Sequence, residues 1–441
     1  MMNSEQGTMG SALGNGRCAL AEEVPVGYKR TEVGVIPQDW RVSAIGTEFR
    51  VQLGKMLDAA KNSGVPKPYI GNRSVQWGRI DVDDIDMVPM TLADLQRFRL
   101  RRGDLLVCEG GEIGRAAIWD EPIPECYYQK ALHRLRPTRN YDIYLMMSLL
   151  QLWASTGSLA NYVTQTSIAH LPKDKLEIVP LPAPPPDEQR AIAGALSDVD
   201  GLLAALEALI AKKRAVKQAA MQQLLTGESR LPGFSGTWET TTLGEVARIK
   251  NGATPSTQIG AYWNGPIPWC TPTDITATPG KYLLATERSV TESGLASCAA
   301  SLLPVGALLL CSRATIGEIK IATSPVCTNQ GFKSLVCRDD VSNEFLYYLL
   351  LTLKPQMIER AIGSTFLEIG KRDVASIELS VPTYTEQCAI AAVLSDMDAE
   401  IAALERRRDK TRAVKQGMMQ QLLTGRVRLI KLTRTMEASV C

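Results

Sequence analysis

Only two histidines, His133 and His170, occur in 441 residues, and the ten cysteines are scattered singly with no C-x-x-C. Zinc ligands usually come in close Cys/His pairs, so no metal site is expected. Lone cysteines in a chain of this size point to a reducing compartment rather than to a disulfide framework. Excess charge is lacking too: 49 Lys and Arg against 47 Asp and Glu leave a formal +2. No global field marks a nucleic-acid binder, although local patches remain open. Long apolar runs are missing. "YLMMSLLQLW" and "SLLPVGALLLC" are too short to span a bilayer, and Pro304 interrupts the second. "MMNSEQGTMG" has no basic start leading into an apolar run, so no signal peptide is read there, and a cytoplasmic protein is expected.

Catalytic signatures are absent as well. The chain has no G-x-x-x-x-G-K-[ST] loop, no G-x-G-x-x-G fingerprint and no G-x-S-x-G elbow. It also has no Asn-Pro-Pro-aromatic run. "CEGGEIG" (108–114) reads as a tight turn beside a strand. Asp274 with Glu318 and Lys320 could in principle hold Mg²⁺ for a nuclease. The matching stretch of the first half reads "GRAAIW", without Glu or Lys, so that trio reads as a chance match. The expectation is a chain that catalyses nothing and binds no cofactor itself.

What is present is a repeat. Residues 187–231 align without a gap on residues 385–429, with 28 of the 45 positions identical. "AVKQAAMQQLLTG" (215–227) and "AVKQGMMQQLLTG" (413–425) lie within it. The same offset of 198 pairs Trp40 with Trp238, Gly46 with Gly244, Gly54 with Gly252, Lys173 with Lys371 and Pro184 with Pro382. "GDLLVCEGGEIGRAAIW" and "GALLLCSRATIGEIKIA" then align five residues out of step. One plan is used twice: a divergent globular domain, then a closely preserved segment.

The preserved segment has the apolar spacing of a helix packed along another helix. Its seam is Ile192, Leu196, Val199, Leu203, Leu206 and Ile210 in one copy, and Ile390, Leu394, Met397, Ile401 and Leu404 in the other. Val216, Met221 and Leu224, with Val414, Met419 and Leu422, are expected to continue it. The Lys-Gln pairs are expected to face a partner or solvent. Asp187 and Thr385 are candidate N-caps, and Gly227 and Gly425 candidate left-handed C-caps. About 40 helical residues make a rod of about 60 Å. Two such rods in one chain are expected to pair as an antiparallel coiled coil with internal pseudo-twofold symmetry, in an α+β protein.

The domain plan is a disordered leader over 1–24, a first domain over 25–183, a helix over 184–227, a second domain over 228–382, a helix over 383–425 and a tail over 426–441. The divergent domains mix short β-like runs with helical stretches such as 141–155 and 343–362. Their loops carry groups suited to DNA. In the first domain these are Asn72, Arg73, Gln76, Trp77, Arg115, Gln129, Lys130 and His133, beside the basic run "RFRLRR" (97–102). In the second they are Thr254, Ser256, Thr273, Asp274, Ser312, Arg313, Asn329, Gln330 and Lys333. Arg, Asn, Gln and Lys read base edges, while Ser, Thr and Lys hold phosphates. Plainer readings stand beside these: a solvated strand face for "RFRLRR", a satisfied core histidine for His133, and a simple turn for "NQG".

From residue 25 onward the chain resembles the specificity subunit of a type I restriction–modification enzyme. "GYKRTEVGVIPQDW", "PYIGNRSVQWGRID" and "YYQKALHRLRP" resemble one type of target-recognition domain. "GATPST", "YWNGPIPWCTPTDI" and "CTNQGFKSL" resemble another. The two "EQ-x-AIA…LL-TG" segments resemble the family's spacer helices. The leader before Val24 departs from the pattern and raises the expectation of an upstream start codon. The resemblance implies that each domain reads one half of a split, asymmetric DNA site and that the helices fix the gap between the halves. It also implies that two methyltransferase subunits dock on the chain and bring S-adenosylmethionine. Restriction subunits would bring ATP and Mg²⁺ chemistry. A duplicated coiled-coil scaffold that binds only proteins is the alternative.

Overall fold

The computed structural model describes residues 24–58, 60, 62–164, 169–363 and 367–430. The expected leader, apart from Val24, and the tail beyond residue 430 lie outside the described residues. The chain divides into two compact units, Met1–Leu203 with Lys410–Cys441, and Ala204–Asp409. Each unit thus takes a globular domain plus part of both long helices, cutting across the boundaries that the sequence pattern draws.

In the first unit, Ala116–Ile118, Leu105–Cys108, Leu132–Pro137 and Phe49–Leu53 form an antiparallel sheet in that order. Successive residues of Leu105–Cys108 enter different cores: Leu105 and Val107 join one, Leu106 and Cys108 another. A strand covered on both faces needs an unbroken apolar run, which "LLVC" supplies. One core includes the helix Ile143–Thr156. Asp142 caps that helix by accepting from the Tyr144 and Leu145 N–H groups, and Gly157 closes it at φ 71°. "CEGGEIG" is the expected turn, joining Leu105–Cys108 to its antiparallel neighbour Ala116–Ile118.

The second unit repeats the scheme. Its five-stranded sheet runs Ala247–Asn251, Lys333–Cys337, Leu308–Leu310, Ile319–Ala322, Tyr282–Leu283. Leu308 and Leu310 face one core, Leu309 and Cys311 the other. The stretch 343–362 is not one helix: it breaks at Leu353 into Asn343–Thr352 and Lys354–Glu359. Pro355 has no N–H to continue the first helix. "RFRLRR" is not a strand either; Arg97 and Phe98 end the helix Leu92–Phe98, and Phe98 and Leu100 are buried.

The long helices span Pro186–Thr226 and Tyr384–Leu422. Asp187 and Thr385 therefore lie inside the first turn and are not caps. Gly227 and Gly425 adopt φ 75° and 70°, the left-handed conformation expected after a helix end. Within the first unit Asp200 meets Lys415 and Glu188 meets Arg428. Within the second, Arg214 meets Glu405 and Arg230 meets Glu386. As one number rises the other falls, so the segments pair antiparallel in each unit. Ile192, Leu196, Leu206, Ile210, Ile390, Leu394 and Ile401 are buried, while Val199, Leu203, Met397 and Leu404 are half-buried.

Two expectations about the thirteen-residue phrase change. Met221, Leu224, Met419 and Leu422 are buried, but Val216 and Val414 are exposed at 48% and 49%. Lys217 and Lys415 do not face outward: each pairs with an aspartate of the opposite helix, Asp398 at 2.5 Å and Asp200 at 2.7 Å. Tyr348 and Tyr144, from the globular domains, donate to the same two carboxylates. The invariant lysine of the phrase thus completes a tyrosine–aspartate–lysine tie in each unit.

The "EQ" at each helix start makes a second tie. Glu188 is buried, accepts from Trp40 Nε1 at 2.8 Å, and pairs with Arg428 at 2.5 Å. Glu386 is buried and pairs with Arg230 at 2.5 Å. Gln189 accepts the Asp142 N–H and donates to the Pro184 carbonyl. Gln387 does the same with Ser342 and Pro382. The matched anchors Trp40, Pro184 and Pro382 are therefore parts of domain–helix joints.

Candidate nucleic-acid interface

In each unit a parallel strand pair delivers two loops to one edge. In the first, Val65–Ile70 runs parallel to Tyr127–Tyr128, so 71–73 and Gln129–Lys130 emerge together. Gly54 makes this possible: a Cβ there would sit 2.3 Å from the Gln129 carbonyl. In the second, Trp263–Cys270 runs parallel to Cys327–Thr328 and delivers Thr271–Asp274 and Asn329–Gly331. Gly252 plays the same part, 2.0 Å from the Asn329 carbonyl.

The first edge brings Asn72, Arg73 and Gln129 into one cleft of about 410 Å³. Tyr69 and the carboxylates Asp81, Asp83, Asp84 and Asp86 line it as well. Arg73 and Lys130 are exposed, and Gln76 and Trp77 half-exposed. Gln76 donates to the Arg73 carbonyl and Trp77 Nε1 to Glu112. Arg115 is spent holding this edge: it donates to the Asn72 carbonyl at 3.0 Å and pairs with Glu112.

At the second edge Thr254 donates to Gln330 Oε1 at 2.6 Å, and Asn329 Oδ1 accepts the Gly331 N–H. Ser256, Thr273 and Arg313 are exposed. Arg313 and Lys333 both bond Glu368. Burial alone would raise the Glu368 carboxyl pKa, but Lys333 and Arg313 together hold it below the usual range.

Four expected contacts lie inside the domains. His133 is fully buried, its Nε2 2.8 Å from the Leu171 carbonyl, and burial pushes its pKa down to about 4. It is a neutral core residue, as its plainer reading had it. Lys333 stands at the equivalent strand position, buried and bonded to Ser312, itself buried, and to Glu368. Asp274 is buried and caps its helix in a capping box with Thr271. Buried side chains committed to internal partners cannot reach a groove. The nuclease trio does not come together as a set: Asp274 serves the cap, Glu318 pairs with Lys354, and Lys320 donates to the Gly280 carbonyl. Among the described residues no group of three or more His, Cys, Asp or Glu is arranged to hold a metal ion.

The sequence pattern passed over three features of this edge: the aspartates 81–86, Glu368, and an exposed Arg288 beside Trp263 and Trp269. A domain-to-domain alignment offset by 200 rather than 198 puts Tyr69 on Trp269 and would have drawn attention to that strand.

A family model described as "Type I restriction modification DNA specificity domain" matches this chain twice, over residues 37–217 and 235–411. The chain belongs to that family. As a type I specificity subunit with two such domains, it is similar over nearly its whole length to a putative type I restriction enzyme MjaX specificity subunit of Methanocaldococcus jannaschii. The identity is 24% over 426 residues, covering 91% of this chain and 97% of the relative. The MjaIX specificity subunit of the same organism is 38% identical over 163 residues, 36% of this chain and 38% of the relative. Two solved structures share the fold. A type I system S subunit from M. genitalium matches with TM-score 0.56 at 17% identity, covering 87% of this chain and 96% of that one. A chain from a study of complex assembly and conformational transition in a type I R-M system matches at 0.59 and 19%, covering 89% and 99%. No described helix is long and apolar enough to cross a membrane.

Proposed function

We propose that this specificity subunit reads a bipartite, asymmetric DNA site, one domain per half-site, and that the paired helices fix the gap. The observation that carries the reading is the contrast between joints and loops. The Tyr–Asp–Lys and Glu–Gln ties are alike in both units, whereas the loops at the parallel-strand edges share almost no side chain. Readers of different base sequences need different loops on one mounting. They must also keep a fixed phase, since a half-site turns with the duplex every 10–10.5 bp or so.

In the first domain, Gln129 suits an adenine edge and the cleft carboxylates suit a cytosine amino group, whereas the Asn72 amide is turned inward, its Nδ2 donating to the Gly110 carbonyl. The exposed Arg73, Lys130, Thr254, Ser256, Thr273, Arg313 and Gln330, with the half-buried Asn329, are the proposed contacts to bases and phosphates. Two methyltransferase subunits dock on the repeated helical segments and bring S-adenosylmethionine; they flip the target adenine into their own site. Restriction subunits add ATP- and Mg²⁺-dependent translocation and cleavage, and this chain makes no bond chemistry.

The test replaces residues 41–180 with the first domain of another family member and maps methylated adenines. One half-site should change and the other persist. A change in both, or in neither, rules out modular reading. A chain that gives no DNA shift even with methyltransferase present would favour the protein-binding scaffold.

A further inference from the structure

In the second unit, the strand Trp263–Cys270 pairs with Arg288–Val290, setting Trp269 opposite Arg288. The Arg288 guanidinium lies 3.6 Å from the centre of the Trp263 ring and 5.3 Å from that of Trp269. The two rings meet edge to face at 5.0 Å and 87°. Both indoles are fixed in turn: Trp263 Nε1 donates to the Ser256 carbonyl and Trp269 Nε1 to the Ala253 carbonyl, each at 3.1 Å. Arg288 is exposed and has no carboxylate partner among the described residues. Its neighbour Glu287 gives its N–H to Asp274, which places Arg288 beside the Thr271–Asp274 turn of the loop edge.

The first unit has the opposite charge at the matching place. There Tyr69 takes the position of Trp269 and bonds Asp86 across the strands. Asp81, Asp83 and Asp84 line the same cleft. Four carboxylates against the single cation Arg73 make that cleft unfavourable for a phosphate, and Asp86 stands where the second unit has Arg288.

We propose that Arg288, held over the Trp263 ring, grips a backbone phosphate of the DNA, and that the first domain has no equivalent grip. Contact with the indole ring restrains the guanidinium while its N–H fork remains available for a pair of phosphate oxygens. The carbonyl-tethered rings limit how much the side chain must be ordered on binding. The inference rests on the reading of the second domain as a DNA reader.

The experiment uses the full chain assembled with its methyltransferase partner, and measures affinity for the mapped site across a salt series. Arg288→Gln should lower the slope of log K against log salt by about one, and weaken binding about fivefold near 0.15 M salt. The methylated sequence should stay the same. Arg288→Lys should keep the slope while losing part of the affinity, because an ammonium retains charge but not the planar fork. An Arg288→Gln complex with an unchanged slope, or with an altered half-site, overturns the phosphate contact. An unmutated complex with no preference for its site would overturn the parent reading and this inference together.

Discussion

The joints and the loop edges of this chain are held by similar chemistry, yet only the joints are kept between the two units. At the joints, a buried Glu paired with an Arg, a buried Gln, a Tyr–Asp pair and a Lys recur with matching partners. At the edges, Gly111 is replaced by Ala314 at φ 63°, and the Tyr69–Asp86 pair by Trp269–Arg288. Even the joints differ in detail. Trp40 Nε1 donates to Glu188, whereas Trp238 Nε1 is buried without a partner, and Arg428 also holds Asp39, which Arg230 does not. A mounting tolerates little change because most of its groups are buried or half-buried and bonded to one another. An edge tolerates much because its side chains end in solvent.

The largest loss of stability is expected at a joint. Arg428→Ala leaves the Glu188 carboxylate buried with only the Trp40 N–H, which should cost on the order of 3–5 kcal/mol in denaturant unfolding. A loss under about 1 kcal/mol would mean the joint is no stiffer than a surface pair.

Acid should next separate the two domains. The buried His133 has a folded pKa of about 4 against 6.5 unfolded, so the unfolded chain binds its proton first as pH falls. The first domain is therefore fully stabilised by neutral His133 above about pH 6.5 and loses up to about 3 kcal/mol as pH drops toward 4. In the second domain Lys333 and Arg313 hold the Glu368 carboxyl below the ordinary carboxylate range, so its ties are intact at pH 5 and weaken only as pH falls below that range. Hydrogen exchange at pH 7 and pH 5 should show faster opening in the first domain alone; equal acceleration in both would contradict it.

The smallest effect compares the two helix-ending glycines. A Cβ on Gly425 would meet Pro37 Cδ at 2.4 Å, and one on Gly227 would meet the Trp238 ring at 3.3 Å. Both sit at positive φ, so each Ala substitution costs about 1 kcal/mol for backbone conformation. Gly425→Ala should exceed Gly227→Ala by a further 1 kcal/mol or so, because the proline must move. Paired thermal melts decide the order.

Much of the fold was readable from the chain. The 198-residue offset, the 3–4 apolar seam and the Thr-Gly endings gave both long helices nearly to their observed limits. The sites were less readable, for a physical reason visible at His133. It lies in Leu132–Pro137, between the strands Leu105–Cys108 and Phe49–Leu53, and both faces of that sheet are covered. Polar–apolar alternation marks an outward face only when one side meets water. The lysine of the repeated phrase misled for a related reason: at helical spacing a seam-flanking Lys looks solvent-facing until the opposing helix supplies an aspartate.

The composition of the two units also sets an order of assembly. The second unit, Ala204–Asp409, is one unbroken stretch and has every residue it needs once position 409 has been made. The first waits for Lys415 to reach Asp200 and for Arg428 to reach Glu188 and Asp39, the last pair separated by 389 positions. Such closures come late because a long loop must be ordered before any contact rewards it. On the ribosome, the domain made first is therefore the one finished last.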